Sequence, residues 1–153
     1  MSTGETYWSV IEPVWEAVSI YDGPETFLDQ FSKISAAQRQ LLSPHWCQSE
    51  VRNGGFHQFF HNPTGVLAPE ASAGFRAIGL EECADLVDQA MRFFGEQYPR
   101  DQSVRQAALD EYGEVHGDLW DPFVSLDDQF FDAIEVDGYD IAADRFATRH
   151  AVA

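Results

Sequence analysis

The amino-acid sequence predicts an all-α protein, a compact multi-helix bundle, on three observations. Apolar residues recur at helical spacing along most of the 153-residue chain. Serine, proline, glycine and asparagine punctuate these stretches where helices start and stop. No segment alternates apolar and polar residues as a half-buried strand would, and there is no internal repeat or low-complexity linker. The length suits one domain over residues 1–153, or two packed halves at about 1–65 and 66–153.

The elements follow in order. Tyr7, Trp8, Ile11, Val14, Trp15 and Val18 form a first apolar stripe, and Pro13 either kinks that helix or opens it as a first-turn residue. A short second helix begins near Pro24 and uses Phe27, Leu28 and Phe31. Ser35 is a good N-cap for a third helix through Leu41 and Leu42. Ser43 and Pro44 are expected to restart the chain into a helix that runs to Asn53, where Gly54 and Gly55 stop it. Phe56, Phe59 and Phe60 then make a short aromatic turn, closed by Asn62-Pro63-Thr64-Gly65.

The second half continues the pattern. Pro69 opens a helix that presents Ala71, Phe75 and Ile78 and ends at Gly79. Cys83, Val87, Met91, Phe94 and Tyr98 make the cleanest stripe. Glu81, Glu82 and Asp85 fall in its first turns, where the helix dipole favours anions, and Asp88 is spaced to pair with Arg92. Val104, Ala108, Tyr112, Val115 and Leu119 predict another buried face, although Gly113 and Gly117 each cost about 1 kcal/mol in a helix. Ser125 with Asp128 resembles a capping arrangement ahead of Phe130, Phe131 and Ile134. A last helix holds Ile141 and Phe146, with Arg145 and Arg149 near its C-terminus.

Charge excludes several functions. Nine basic and 26 acidic residues leave a net charge of −17. Such a chain repels nucleic acid and anionic membranes, so its partners are expected to be basic proteins or cations. With 44% apolar and 14% aromatic residues it is not a disordered acidic tail. The excess sits in two blocks. Met1 to Ser32 holds six acids and no base, and Asp101 to Asp140 holds twelve acids and one base, Arg105. The remainder has eight of each. Charge serving only solubility would be spread with mixed signs.

Within the second block Asp110, Glu114, Asp118 and Asp121 step by four, four and three. On a helix they would share one face, roughly 6 Å apart along the axis. Like charges so placed cost roughly 0.2–0.5 kcal/mol per pair, and a tolerated cost suggests a use. One row is sparser than duplex DNA, which carries a charge about every 1.7 Å of axis. Glu111, Asp127, Asp128, Asp132, Glu135, Asp137 and Asp140, with the N-terminal acids, could supply further rows. Taken alone, the default reading is a solvated acidic surface or adaptation to high salt.

The compartment is expected to be cytoplasmic. Met1 to Gly23 carries Glu5, Glu12, Glu16 and Asp22, with neither the basic start nor the continuous apolar stretch of a signal peptide. Cys47 and Cys83 match no metal or redox spacing and read as reduced thiols rather than a disulfide.

One stretch carries a family resemblance. Gln48-Ser49-Glu50-Val51-Arg52-Asn53-Gly54-Gly55-Phe56-His57-Gln58-Phe59-Phe60-His61-Asn62, with Gly65, resembles the signature of a bacterial family that includes an acidic DNA-mimic protein. Leu126-Asp127-Asp128-Gln129-Phe130-Phe131 and the helical order from about Val14 to His150 are also similar to it. The resemblance implies an all-helical fold. For the characterised member it implies surface carboxylates that imitate DNA phosphates and occupy the DNA-binding face of a helix-turn-helix regulator.

The signature itself reads first as structure. Asn53, Gly54 and Gly55 suit a helix stop with positive φ, and Phe56, Phe59 and Phe60 would anchor the next turn. Glu50, Asn53, Gln58 and Asn62 could hydrogen-bond the backbone groups freed at the break. The functional alternative is a ligand- or peptide-binding pocket there, with the acidic surface incidental.

An enzyme is not expected. His57 and His61 have i,i+4 spacing, but Gln58 stands where a zincin has glutamate, and His45 with Cys47 fits no zinc pattern. Phosphate loops and nucleophile elbows are missing, and Asp127-Asp128 point to different helix faces. The sequence therefore predicts a cofactor-free, non-enzymatic module, monomer or dimer, that binds a basic protein such as a DNA-binding regulator. Its predicted partner face is Asp110, Glu111, Glu114, Asp118, Asp121, Asp127, Asp128, Asp132, Glu135, Asp137 and Asp140.

Overall fold

The computed structural model describes residues 3–135 and 138–150, so Asp137 of the predicted face lies outside the described residues. Among these residues there are eight α-helices, four short 3-10 turns and no strand. The helices are α1 (Glu5–Ile11), α2 (Pro24–Ser32), α3 (Ala36–His61), α4 (Ala68–Ala77), α5 (Glu81–Met91), α6 (Gln102–His116), α7 (Val124–Ile134) and α8 (Gly138–His150). The protein is all-α, with helices packed against one another.

Helix α3 is the axis, and α1, α4, α6, α7 and α8 all pack against it. It starts at a capping box: Ser35 Oγ accepts from Gln38 N–H, and the Gln38 side chain accepts from Ser35 N–H. The expected restart at Ser43-Pro44 does not occur, and Pro44 lies inside α3. Proline at 44 deprives the Gln40 carbonyl of its helical donor. Helix α4 crosses there, with Gly74 close against Pro44 and Gln40 O; a Cβ on Gly74 would lie 2.7 Å from that oxygen. Tight backbone packing, not a helix end, is what this proline marks.

Other expected helices are shorter in the structure. The Tyr7–Val18 stripe ends as an α-helix at Ile11, and Pro13 opens a 3-10 turn over Glu12–Val14. The Cys83–Tyr98 stripe leaves the helix at Met91 and turns back at Gly95. Phe94 and Tyr98 still pack inward, on Phe60 at 5.1 and 5.8 Å, and Tyr98 Oη donates to Gly65 O at 2.6 Å. The expected Asp88–Arg92 pair is replaced by Arg76, which reaches Asp88 at 3.2 Å and Asp85 at 2.6 Å from α4. Helix α7 begins before Ser125, with Asp121 Oδ1 accepting from Phe123 N–H at 2.8 Å ahead of it.

The core runs from Tyr7 to Ala147 and is rich in rings, with Phe56, Phe59, Phe60, Phe75, Phe123, Phe130 and Tyr139 fully buried. His45 sits among Tyr7, Trp8, Trp15 and Trp46, and burial lowers its pKa to about 4. It is therefore neutral at pH 7. Cys47 and Cys83 are free and buried. Among the described residues no helix is long and apolar enough to cross a membrane.

Candidate functional site

Two neighbouring regions hold the residues that the sequence singles out. The first is the break in α3. Gly54 and Gly55 are both non-helical, and Gly55 has φ 78°. The left-handed value favours glycine, and a Cβ on Gly55 would also collide with the Asp127 carboxylate. That carboxylate closes the break. Phe56 N–H, orphaned at the start of the second arm, donates to Asp127 Oδ1 at 2.8 Å. Burial raises the Asp127 pKa to about 6, and the Phe56 hydrogen bond opposes the rise.

The other polar residues of the signature bind one another rather than the freed backbone. Glu50 Oε2 accepts from Gln58 Nε2 at 2.8 Å and from Asn62 Nδ2 at 3.1 Å. Asn53 Nδ2 donates to Gln58 Oε1 at 3.2 Å. With Gln48, Ser49 and Arg52, residues Glu50, Asn53 and Gln58 line an open polar cleft of about 520 Å³. Phe56, Phe59 and Phe60 are buried, as the sequence predicts.

The carbonyls at the end of α3 are capped from α6, by a residue the sequence reading passes over. Arg105 is fully buried, at 0% exposure. Its Nε donates to Phe60 O at 2.8 Å and its Nη2 to Asn62 O at 3.0 Å. Its Nη1 donates to Pro99 O at 3.3 Å and to Arg100 O. The amides of Gln102 and Gln106 both donate to His61 O, at 3.1 and 3.0 Å. A cation belongs there, because the helix C-terminus carries partial negative charge. The clue in the sequence is register: Arg105 shares a helical face with Leu109 and Tyr112.

This placement turns α6 away from its expected orientation. Its buried residues are Arg105 and Leu109, whereas Val104, Val115 and Leu119 of the predicted apolar stripe are 52%, 74% and 76% exposed. Capping the α3 end requires the guanidinium inside, and that rotates the predicted stripe toward solvent.

The second region is the acidic stretch from Asp110 to Asp140, which the sequence predicts as one face. Asp110, Glu111 and Glu114 are exposed on α6, which ends at Gly117 with φ 58°. Asp118 is exposed on the 3-10 turn that follows, and Asp121 is half-buried in the loop before α7. The Asp110–Asp121 series is thus not one helical row, because the helix stops between Glu114 and Asp118. Asp128 and Asp132 are exposed on α7, Glu135 is exposed at its end, and Asp140 is half-buried on α8. Asp127 stands apart from them, engaged at the α3 break.

Seven of these exposed acids take no part in an ion pair among the described residues. Ion pairs among the described residues include those of Lys33 with Asp29, Arg76 with Asp85 and Asp88, and Arg100 with Glu70. Asp110, Glu111, Glu114, Asp118, Asp128, Asp132 and Glu135 enter none of them. The only base of the 101–140 block, Arg105, is buried, so the exposed part of that block presents carboxylates without lysine or arginine.

His57 borders this face, with its ring edge-on to Trp120 at 4.8 Å and stacked near His61 at 6.0 Å. Burial lowers its pKa, and the charges of Asp121 and Asp110 oppose that shift. Among the described residues no group of three or more His, Cys, Asp or Glu is placed to hold a metal ion.

No curated protein and no solved structure matches the chain. A family model for DMP19-like proteins matches residues 32–150, from just before α3 to the end of α8. The match covers both the α3 break and the acidic face, and the chain belongs to the DMP19-like protein family.

Proposed function

We propose that this protein is an acidic binding module that stands in for DNA on a basic partner and so occludes the DNA-binding face of a transcription regulator. The observation that carries this reading is the burial of Arg105. It leaves seven exposed carboxylates, from Asp110 to Glu135, with no cation paired to them among the described residues. Uncompensated carboxylates raise the local potential and steer a positively charged partner toward the face. Membership of a family known for DNA mimicry supports the same reading. A module of this kind needs no catalytic group or cofactor and works as a non-enzyme. Its two free, buried thiols suit a reducing cytoplasm.

The test is retention of binding proteins by the immobilised full chain at two salt concentrations. Basic DNA-binding proteins are expected on the resin at low salt and released near 1 M, where the Debye length falls to about 3 Å. If no basic DNA-binding protein is held even at low salt, the reading fails.

The open cleft beside the α3 break supports a second reading, a ligand- or peptide-binding module centred on residues 50–62. Glu50→Ala or Asn53→Ala chains that stay folded but lose their partner would favour it over the first.

A further inference from the structure

The acidic stretch of the chain is not uniformly polar. Nine large apolar residues are exposed among the described residues, and six of them fall between 101 and 140: Val104, Val115, Leu119, Trp120, Val124 and Phe131. That is the same stretch that holds the acidic block. Beside Val115 a groove of about 340 Å³ opens, lined by Phe93, Phe94, Ala108 and Tyr112 together with Glu111 and His116. Its size is at the small end of ligand clefts, roughly 300–1,000 Å³. Its rings are braced. Phe93 meets Tyr112 edge-on at 5.4 Å and Phe123 at 5.3 Å, and His116 stacks on Tyr112 at 3.7 Å.

We propose that this groove receives the large apolar side chains of a cationic protein segment, whose lysines or arginines lie against Glu111 in its wall and Glu114 one turn further along α6. This rests on the binding function above for the partner's charge, and adds the apolar contact that selects among basic partners. Charge decides the occupant. A second copy of this chain would bring another −17 to a face that is already acidic. Nucleic acid and anionic lipid are repelled for the same reason. A neutral apolar ligand would leave Glu111 and Glu114 unused, and a purely polar cation would leave Val115 in water. A basic segment with apolar side chains satisfies both. Burying them also supplies affinity that salt does not screen.

Two fluorescein-labelled peptides of equal length and equal positive charge test this against the full chain by anisotropy. One interleaves arginine with leucine, the other arginine with serine. The leucine peptide is expected to bind about tenfold or more tightly, from burial of one or two aliphatic side chains. It should keep that advantage at roughly 0.5 M salt, where charges are largely screened. A Val115→Ser variant, changed in the groove wall itself, should abolish most of the advantage and leave the serine peptide's affinity unchanged. Val115 is about three-quarters exposed, so the fold should survive, and thermal unfolding followed by circular dichroism checks that it does. Equal binding of the two peptides, or an advantage that persists undiminished in the Val115 variant, overturns the groove alone. Failure of both peptides to bind at low salt overturns the acidic-face function together with it.

Discussion

The break in α3 and the acidic face lie next to each other and treat their polar groups in opposite ways. At the break they are consumed internally. Glu50 takes two amides, Asp127 takes the Phe56 N–H, and beyond the break Arg105 takes the carbonyls of Phe60 and Asn62 at the end of the helix. On the face seven carboxylates have no cationic partner. Buried polar groups need partners, and exposed ones have water. A polar side chain that is already satisfied holds the fold, while one left to solvent can be claimed by a visitor. The contrast separates structure from function more sharply than residue type does, because the two regions use the same acids.

The largest effect should come from breaking the consumed side. Arg105→Ala strands carbonyls at the end of α3 and is expected to cost about 3–5 kcal/mol in urea unfolding. A loss below about 1 kcal/mol would mean that the guanidinium is not holding the two elements together.

A smaller effect sharpens the comparison through pH. The Asp127 carboxyl has a folded pKa of about 6, above its ordinary 3.8. The folded state therefore binds this proton more tightly than the unfolded state. Its contribution to stability is fully present below about pH 4, falls as pH rises through 6, and stays low above that. Asp127→Asn keeps an acceptor for Phe56 N–H and removes the charge. Above pH 6 the variant should be more stable than the parent by about 1–2 kcal/mol, after allowance for partial solvent exposure. The difference should vanish near pH 4 in melts across that range, and equal pH profiles for the two proteins would contradict it.

The smallest stability effect belongs to the face. Changing Asp110, Glu111, Glu114 and Asp118 together to their amides should leave the melting temperature unchanged or slightly raised. Each relieved like-charge pair is worth only about 0.2–0.5 kcal/mol. Retention of basic partners should fall steeply in the same variant. A chain destabilised by these changes would place the face on the structural side of the comparison.

Much of the fold is legible from local chemistry. Ser35 caps α3, Gly55 breaks it with positive φ, and the three phenylalanines after the break are core. What escapes a local reading depends on distant partners. Pro44 looks like a helix boundary until Gly74 packs against it from another helix. Arg105 looks like the one surface base of an acidic block, because the carbonyls it binds belong to residues as far back as Phe60. That single burial also misdirects the expected stripe on α6. Asp127 has the same character, since its partner lies 71 residues earlier. The Asp110, Glu114, Asp118 and Asp121 spacing reads as one helical row, and that reading fails because the chain turns at Gly117.

The Arg105 contacts also govern how α6 can move. One guanidinium holds Phe60 and Asn62 on one side and Pro99 and Arg100 on the other. Local opening of α6 would leave carbonyls of both segments without their donor, so the helix cannot fray independently of the end of α3. Amide hydrogens around residues 105–109 should then exchange at the rate of those near Phe60, as one cooperative unit. A visitor meets carboxylates whose helix is already fixed in place. Little ordering entropy remains to be lost on association, and the surface acts as a preformed template instead of a chain that folds around its guest.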